Sequence, residues 1–121
     1  MADIALRVFA KKATVTYLDT SVKNLFTLPK NAMVMAFLVD VDTGFNDSGT
    51  DLLDIGITGT ADHFANNVNV ATAGQVWVQE ANLGDSGDNH VVVTATYTGQ
   101  NADPTAGTCT ITCLYGHYKR S

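Results

Sequence analysis

The stretch Met33-Val34-Met35-Ala36-Phe37-Leu38-Val39-Asp40-Val41-Asp42-Thr43 decides the fold class. Met33, Met35, Phe37, Val39 and Val41 recur with the period of two that belongs to a β-strand. Val34, Ala36 and Leu38 make the second face apolar too, until Asp40 and Asp42 turn it polar. A strand apolar on both faces is central in its sheet, or is covered on its second side by a neighbouring subunit. The reading therefore puts Val34, Ala36 and Leu38 at an oligomer interface. The apolar run over residues 32–39 is the longest in the chain. It falls far short of the roughly 18–20 residues of a membrane-spanning helix, so no membrane partner is expected.

Strand patterns extend on both sides of this segment. Ile4, Leu6 and Val8 alternate with Ala5, Arg7 and Phe9. Further strands are expected over 14–18, 22–28, 53–57, 75–80, 90–98 and 108–118. Turn-forming clusters separate them: Pro29-Lys30-Asn31, Gly44-Phe45-Asn46-Asp47-Ser48-Gly49, Gly84-Asp85-Ser86-Gly87 and a Pro104-containing loop. Residues 59–69 read as a polar connection anchored by Phe64. With 121 residues the chain forms one domain, 1–121. It holds 16 Thr and 13 Val but a single Glu, a composition that favours strands and turns over helices. The expected fold is all-β: an antiparallel two-sheet sandwich, jelly-roll-like, of about eight strands.

The net charge of −5 is unevenly placed. Arg7, Lys11, Lys12, Lys23 and Lys30 make a basic N-terminal segment, 1–30, and Lys119 and Arg120 a short basic tail, 119–121. The 88 residues between them carry ten acidic side chains and no Lys or Arg. Such a body repels phosphates, so nucleic acid is not an expected partner. Chain ends often lie close together at the surface. Arg7, Lys11, Lys12, Lys119 and Arg120 are accordingly read as a docking surface for a larger, acidic or mixed partner. No basic-then-apolar leader opens the sequence, and synthesis and use without secretion are expected.

Catalytic and metal motifs are weak. Gly84-Asp85-Ser86-Gly87 copies a serine-protease nucleophile motif, yet it sits in a turn-rich loop with no matching His and Asp. Asp42-Thr43-Gly44 at a strand end resembles the retroviral-type aspartic protease motif, in which each subunit of a dimer gives one Asp. Phe45-Asn46 follows where that pattern has a small residue, and its later apolar-apolar-Gly segment is missing. Asp40, Asp42, Asp47, Asp51 and Asp54 could gather around calcium, but the EF-hand spacing is broken. Cys109 and Cys113 are four apart on one strand, about 13 Å at roughly 3.3 Å per residue. That is too far for a disulfide, and a strand cannot converge them with His117 on zinc. They are expected as reduced core thiols. No catalytic residue, metal site or cofactor is assigned, and the chain is not read as an enzyme. Trp77 opposes Val76 and Val78 in direction. It suits a core or interface position, or a stacking platform for a sugar.

A further pattern runs from Leu28-Pro29-Lys30-Asn31-Ala32-Met33-Val34 through Thr43-Gly44-Phe45-Asn46-Asp47-Ser48-Gly49-Thr50 and Leu53-Asp54-Ile55-Gly56-Ile57. It continues to Gly59-Thr60-Ala61-Asp62-His63-Phe64 and Thr72-Ala73-Gly74. Over 28–74 the chain resembles small virion proteins of tailed bacteriophages, of the head-decoration (cement) type and related fibre modules. The resemblance implies a structural protein that clamps neighbouring major capsid subunits, as a homotrimer on the outer surface of the capsid. Synthesis would take place in the host cytoplasm. The alternative it allows is a tail or fibre module binding a receptor or glycan through Trp77.

Overall fold

In the computed structural model, which describes residues 4–78 and 89–120 and the side chains of 7–78 and 89–117, eight antiparallel strands form two four-stranded sheets. They are β1 (Ile4–Thr16), β2 (Lys23–Leu28), β3 (Ala32–Thr43), β4 (Asp51–Ile57), β5 (Thr60–Asn69), β6 (Gly74–Val78), β7 (Val91–Gly99) and β8 (Thr108–Arg120). One sheet has the order β1-β8-β3-β6 and the other β2-β7-β4-β5. First pairs with last, second with seventh, third with sixth and fourth with fifth. The chain is thus one long hairpin of nested pairs, rolled until β3 meets β8 and β4 meets β7. This nesting is that of a jelly roll, within the two-sheet sandwich expected from the sequence. The Gly84-Asp85-Ser86-Gly87 loop and the expected end of the sixth strand lie outside the described residues.

Two sequence expectations need correction. The patterns at 4–9 and 14–18 belong to one strand, because Ala10-Lys11-Lys12-Ala13 continues the ladder to β8 without a register shift. The polar segment 59–69 is a strand too. Its alternation is hidden because residues 61–64 bulge opposite Gly56 alone, between the pairs Ile55–Ala65 and Ile57–Thr60. A Cβ on Gly56 would stand 2.2 Å from the Thr60 carbonyl oxygen, so only glycine accepts this crossing.

The core lies between the sheets. Phe37, Val39, Val41, Cys109, Ile111 and Cys113 come from one, and Leu53, Ile55, Phe64, Val93 and Ala95 from the other. Phe37 is fully buried with its ring 5.0 Å from that of Phe64 across the layers. Its replacement by Ala leaves a cavity between two rigid sheets, so Phe37→Ala is expected to cost about 3–5 kcal/mol in denaturant unfolding.

Candidate functional site

The two ends of the sandwich have different chemistry. At one end the β3–β4 loop is stitched to the β7–β8 loop by carboxylates. Asp47 accepts hydrogen bonds from the backbone N–H groups of Gly49 (2.7 Å), Asn101 (3.0 Å) and Asp103 (3.0 Å). Its own N–H donates to Asp51 Oδ1 at 3.1 Å, and the Tyr97 hydroxyl donates to the same oxygen at 2.5 Å. Asp103 accepts from the backbone and the hydroxyl of Ser48, and Asn46 accepts from the N–H groups of Thr105 and Ala106. Burial by itself would raise the Asp47 pKa, but the three N–H donors hold it below the ordinary carboxylate value. Burial, with the Asp51 carboxylate beside it, pushes the Tyr97 hydroxyl up. Gly99 makes room for this knot: a Cβ there would stand 2.6 Å from Asp47 Oδ2.

This geometry gives the aspartates a structural occupation. Asp54 is also engaged, accepting from the Asn67 N–H at 2.8 Å. Among the described residues no three His, Cys, Asp or Glu side chains converge on a metal position. Asp42, of the Asp42-Thr43-Gly44 motif, is an exposed residue at the end of β3. Nearby, a cleft of about 210 Å³ lies between the β7 end, Tyr17, Thr20 and Pro104. It is smaller than the ~300–1,000 Å³ of usual small-molecule sites.

The opposite end holds the start of β1, the end of β8 and the β2–β3 turn, with Arg7 and Lys30 and the backbone of Lys119 and Arg120. The unbroken β1–β8 ladder sets Arg7 opposite His117, Ala5 opposite Lys119 and Ile4 opposite Arg120, so the two basic chain segments are neighbours. Arg7, Lys12 and Lys30 are exposed. Lys11 is not free: its ammonium donates to the Thr27 carbonyl of β2 at 2.7 Å. Lys23 returns the contact, donating to the Thr14 carbonyl of β1 at 2.7 Å and pairing with Asp19 at 3.2 Å. Two lysines thus tie the facing edges of the two sheets, a role that reading charge from the sequence missed. Phe9 stacks on Tyr115 at 5.8 Å and meets His117 edge-on.

The outer face of the β1-β8-β3-β6 sheet is apolar. A bulge at Met35, between the pairs Val34–Tyr115 and Ala36–Leu114, breaks the alternation of β3. Val34 consequently joins the core with Phe37, Val39 and Val41, whereas Met33 and Met35 turn out to solvent. The expected grouping of Val34 with Ala36 and Leu38 is corrected on this ground: Val34 belongs to the interior. Ala36 pairs with Leu114 and Leu38 with Thr112, both on the outer parity. Trp77 is set beside Leu38 by the β3–β6 register. Trp77 is 53% exposed, Met35 44% and Val8 57%. Trp77 is therefore a surface residue, and no core position applies to it.

Cys109 and Cys113 are free thiols buried in the core, as expected. Burial pushes each up to about 12. A raised thiol pKa means that the unfolded chain ionises first. The contribution to stability is complete below about pH 9 and fades as pH rises toward 12. Chemical denaturation at pH 8, 9.5 and 11 should show this fall, and Cys109→Ala/Cys113→Ala should flatten its slope. Native thiols should resist alkylation at pH 8.

No protein-family model matches the chain, and no curated protein does. Solved structures do. A chain of the "acidic stable capsid structure of Helicobacter pylori bacteriophage KHP30" superposes with a TM-score of 0.74 at 19% identity, over 100% of this chain and 98% of that one. A chain of the capsid asymmetric unit of cyanophage Pam1 gives 0.66 at 18% identity, over 96% and 84%. A chain of the capsid of Ralstonia phage GP4 gives 0.65 at 20% identity, over 92% and 84%. At these identities the likeness is one of fold.

Proposed function

We propose that the chain is a structural protein of a bacteriophage virion, a decoration or cement protein that clamps neighbouring major capsid subunits from the outer surface of the head. The observation that carries this reading is the end-to-end match of fold and length with a chain of a phage capsid. Fold alone does not imply function. The surface supports the same reading, since a sheet face with Val8, Met33, Met35, Leu38 and Trp77 is the kind of apolar patch that marks a protein contact. Arg7 and Lys12 are exposed on β1, and the backbone of Lys119 and Arg120 lies opposite Ala5 and Ile4, close to Arg7, so the basic residues of both chain segments give this strand pair a positive character. An acidic or mixed shell would draw this strand pair in and repel the acidic loops at the far end, which sets orientation. Trimerisation at threefold positions of the shell belongs to the same proposal.

A second reading has one observation in its favour. Trp77 stands on the outer face with Gln75 and Asp40 paired on the same side, an aromatic platform next to polar groups that suits a sugar ring.

Purified heads incubated with the protein test both. Met33→Asp, at an exposed position, should lower occupancy at least tenfold while shifting stability by no more than about 0.5 kcal/mol, as surface changes usually do. Replacing Arg7, Lys12, Lys119 and Arg120 by Gln should weaken binding and remove its salt dependence between 0.1 and 1 M, where the Debye length falls from about 10 Å to about 3 Å. Unchanged occupancy in both variants, with a glycan bound through Trp77, would favour the second reading.

A further inference from the structure

The first half of β1 is an open sheet edge, and its polarity can be read from side-chain contacts. In a strand, the N–H and C=O of one residue leave the same edge, and successive residues alternate. The Thr14 carbonyl accepts from Lys23, and the Thr16 N–H donates to Asp19 at 2.8 Å. Both point away from β8, so the even-numbered residues of β1 face the outside. The ladder has no register shift from Ile4 to Thr16, which carries this parity back to Ala10 and Val8. The corner with β2, where Lys11 meets Thr27, covers the edge only from about residue 11 onward. Among the described residues nothing pairs with the outward N–H and C=O of Val8 and Ala10. The side chains along this edge, Arg7, Val8, Phe9 and Ala10, are all exposed.

Unpaired edges of this kind are templates for a further strand, and folded proteins normally blunt them. Here Lys11 and Lys23 blunt only the β2 corner. We infer that residues 7–10 of β1 take up an extended acidic segment of a partner protein as a fifth strand of the β1-β8-β3-β6 sheet. Its backbone would pair with Val8 and Ala10, and its carboxylates would meet Arg7 and Lys12. On the capsid reading, on which this step rests for its partner, the segment belongs to a shell subunit. Charge selects the occupant. A second copy of β1 laid antiparallel on the first would crowd six cations, Arg7, Lys11 and Lys12 of each, into one short ladder. An acidic segment neutralises them, and its alternate apolar side chains cover Val8 on one face of the sheet. Backbone pairing with alternating side-chain contacts is a recurring mode of peptide recognition.

The test is an NMR titration of the whole chain with the peptide acetyl-Asp-Asp-Val-Thr-Val-Asp-amide. Shifts and slowed amide exchange are expected at Val8 and Ala10. Ala10→Pro removes an outward N–H and spares the ladder to β8, so it should weaken binding at least tenfold without unfolding the sheet. A peptide with N-methyl groups at its two Val residues, and one with Lys in place of Asp, should each bind at least tenfold more weakly. Should Ala10→Pro disturb folding, the N-methyl comparison on the wild-type chain decides alone. Equal affinity for the methylated or the Lys peptide, or shifts confined to Met33, Leu38 and Trp77, would overturn the inference. The titration needs no particle. Its failure therefore leaves the capsid reading standing, and failure of the chain to associate with heads leaves the edge binding intact.

Discussion

Thirteen consecutive residue pairs join the first strand to the last, from Ile4–Arg120 to Thr16–Thr108, and the rest of the molecule hangs on that ladder. It closes the outermost of four nested hairpins, between the segments most distant in sequence. Loop closure over such a separation costs entropy before any contact repays it. Ile111, Cys109 and Cys113 contribute the inward side chains of β8 and bind this ladder to the core, while β3 flanks β8 on its other side. Because β1 has only β8 as an in-sheet neighbour, the same ladder leaves β1 with an open edge.

The electrostatic arrangement follows from that topology. Asp47, Asp51 and Asp103 gather at one end, where backbone N–H donors meet them. Asp47 is stabilised by turning three N–H groups of two loops toward itself, which makes it a cross-link between loops rather than a free charge. Arg7, Lys119 and Arg120 fall at the other end because the ladder brings the two chain segments together there. Lys11 is partly withdrawn by its carbonyl contact across the sheet corner, and Lys23 lies by the β1–β2 turn, paired with Asp19. The cations left for a partner are fewer than a count of charges implies. Individually exposed pairs contribute little, about 0–1 kcal/mol each, so a partner must engage several of them together or add backbone pairing.

The apolar outer face depends on one inserted residue. Without the bulge at Met35, β3 would keep strict alternation, and Met33 and Met35 would share the interior with Phe37. With it, Val34 enters the core and the two methionines join Leu38 and Trp77 outside. Methionine suits such a surface, since its flexible, polarisable side chain adapts to irregular partners. The row of Thr110 and Thr112 on β8 and Gln75 on β6 bounds the patch with polar groups.

The sequence by itself determined the all-β, two-sheet class of fold and the free state of Cys109 and Cys113. These follow from local chemistry: β-branched composition, period-two alternation, turn residues and the reach of an extended chain. It also determined the separation of charge, since the positions of Lys and Arg are a property of the chain alone. Only the tertiary structure decided where those features meet. The bulges opposite Gly56 and at Met35 shift side-chain parity by pairing, which no single strand pattern records, and they moved Val34 inward and turned a polar stretch into β5. Lys11 read as a surface charge until the corner between β1 and β2 placed a carbonyl within its reach. Trp77 read as a core or interface residue ahead of a platform, and core and interface stayed open because alternation states that a residue opposes its neighbours without stating which side faces the other sheet. Strand register and sheet order settle that choice, and both arise from contacts between residues far apart in the chain.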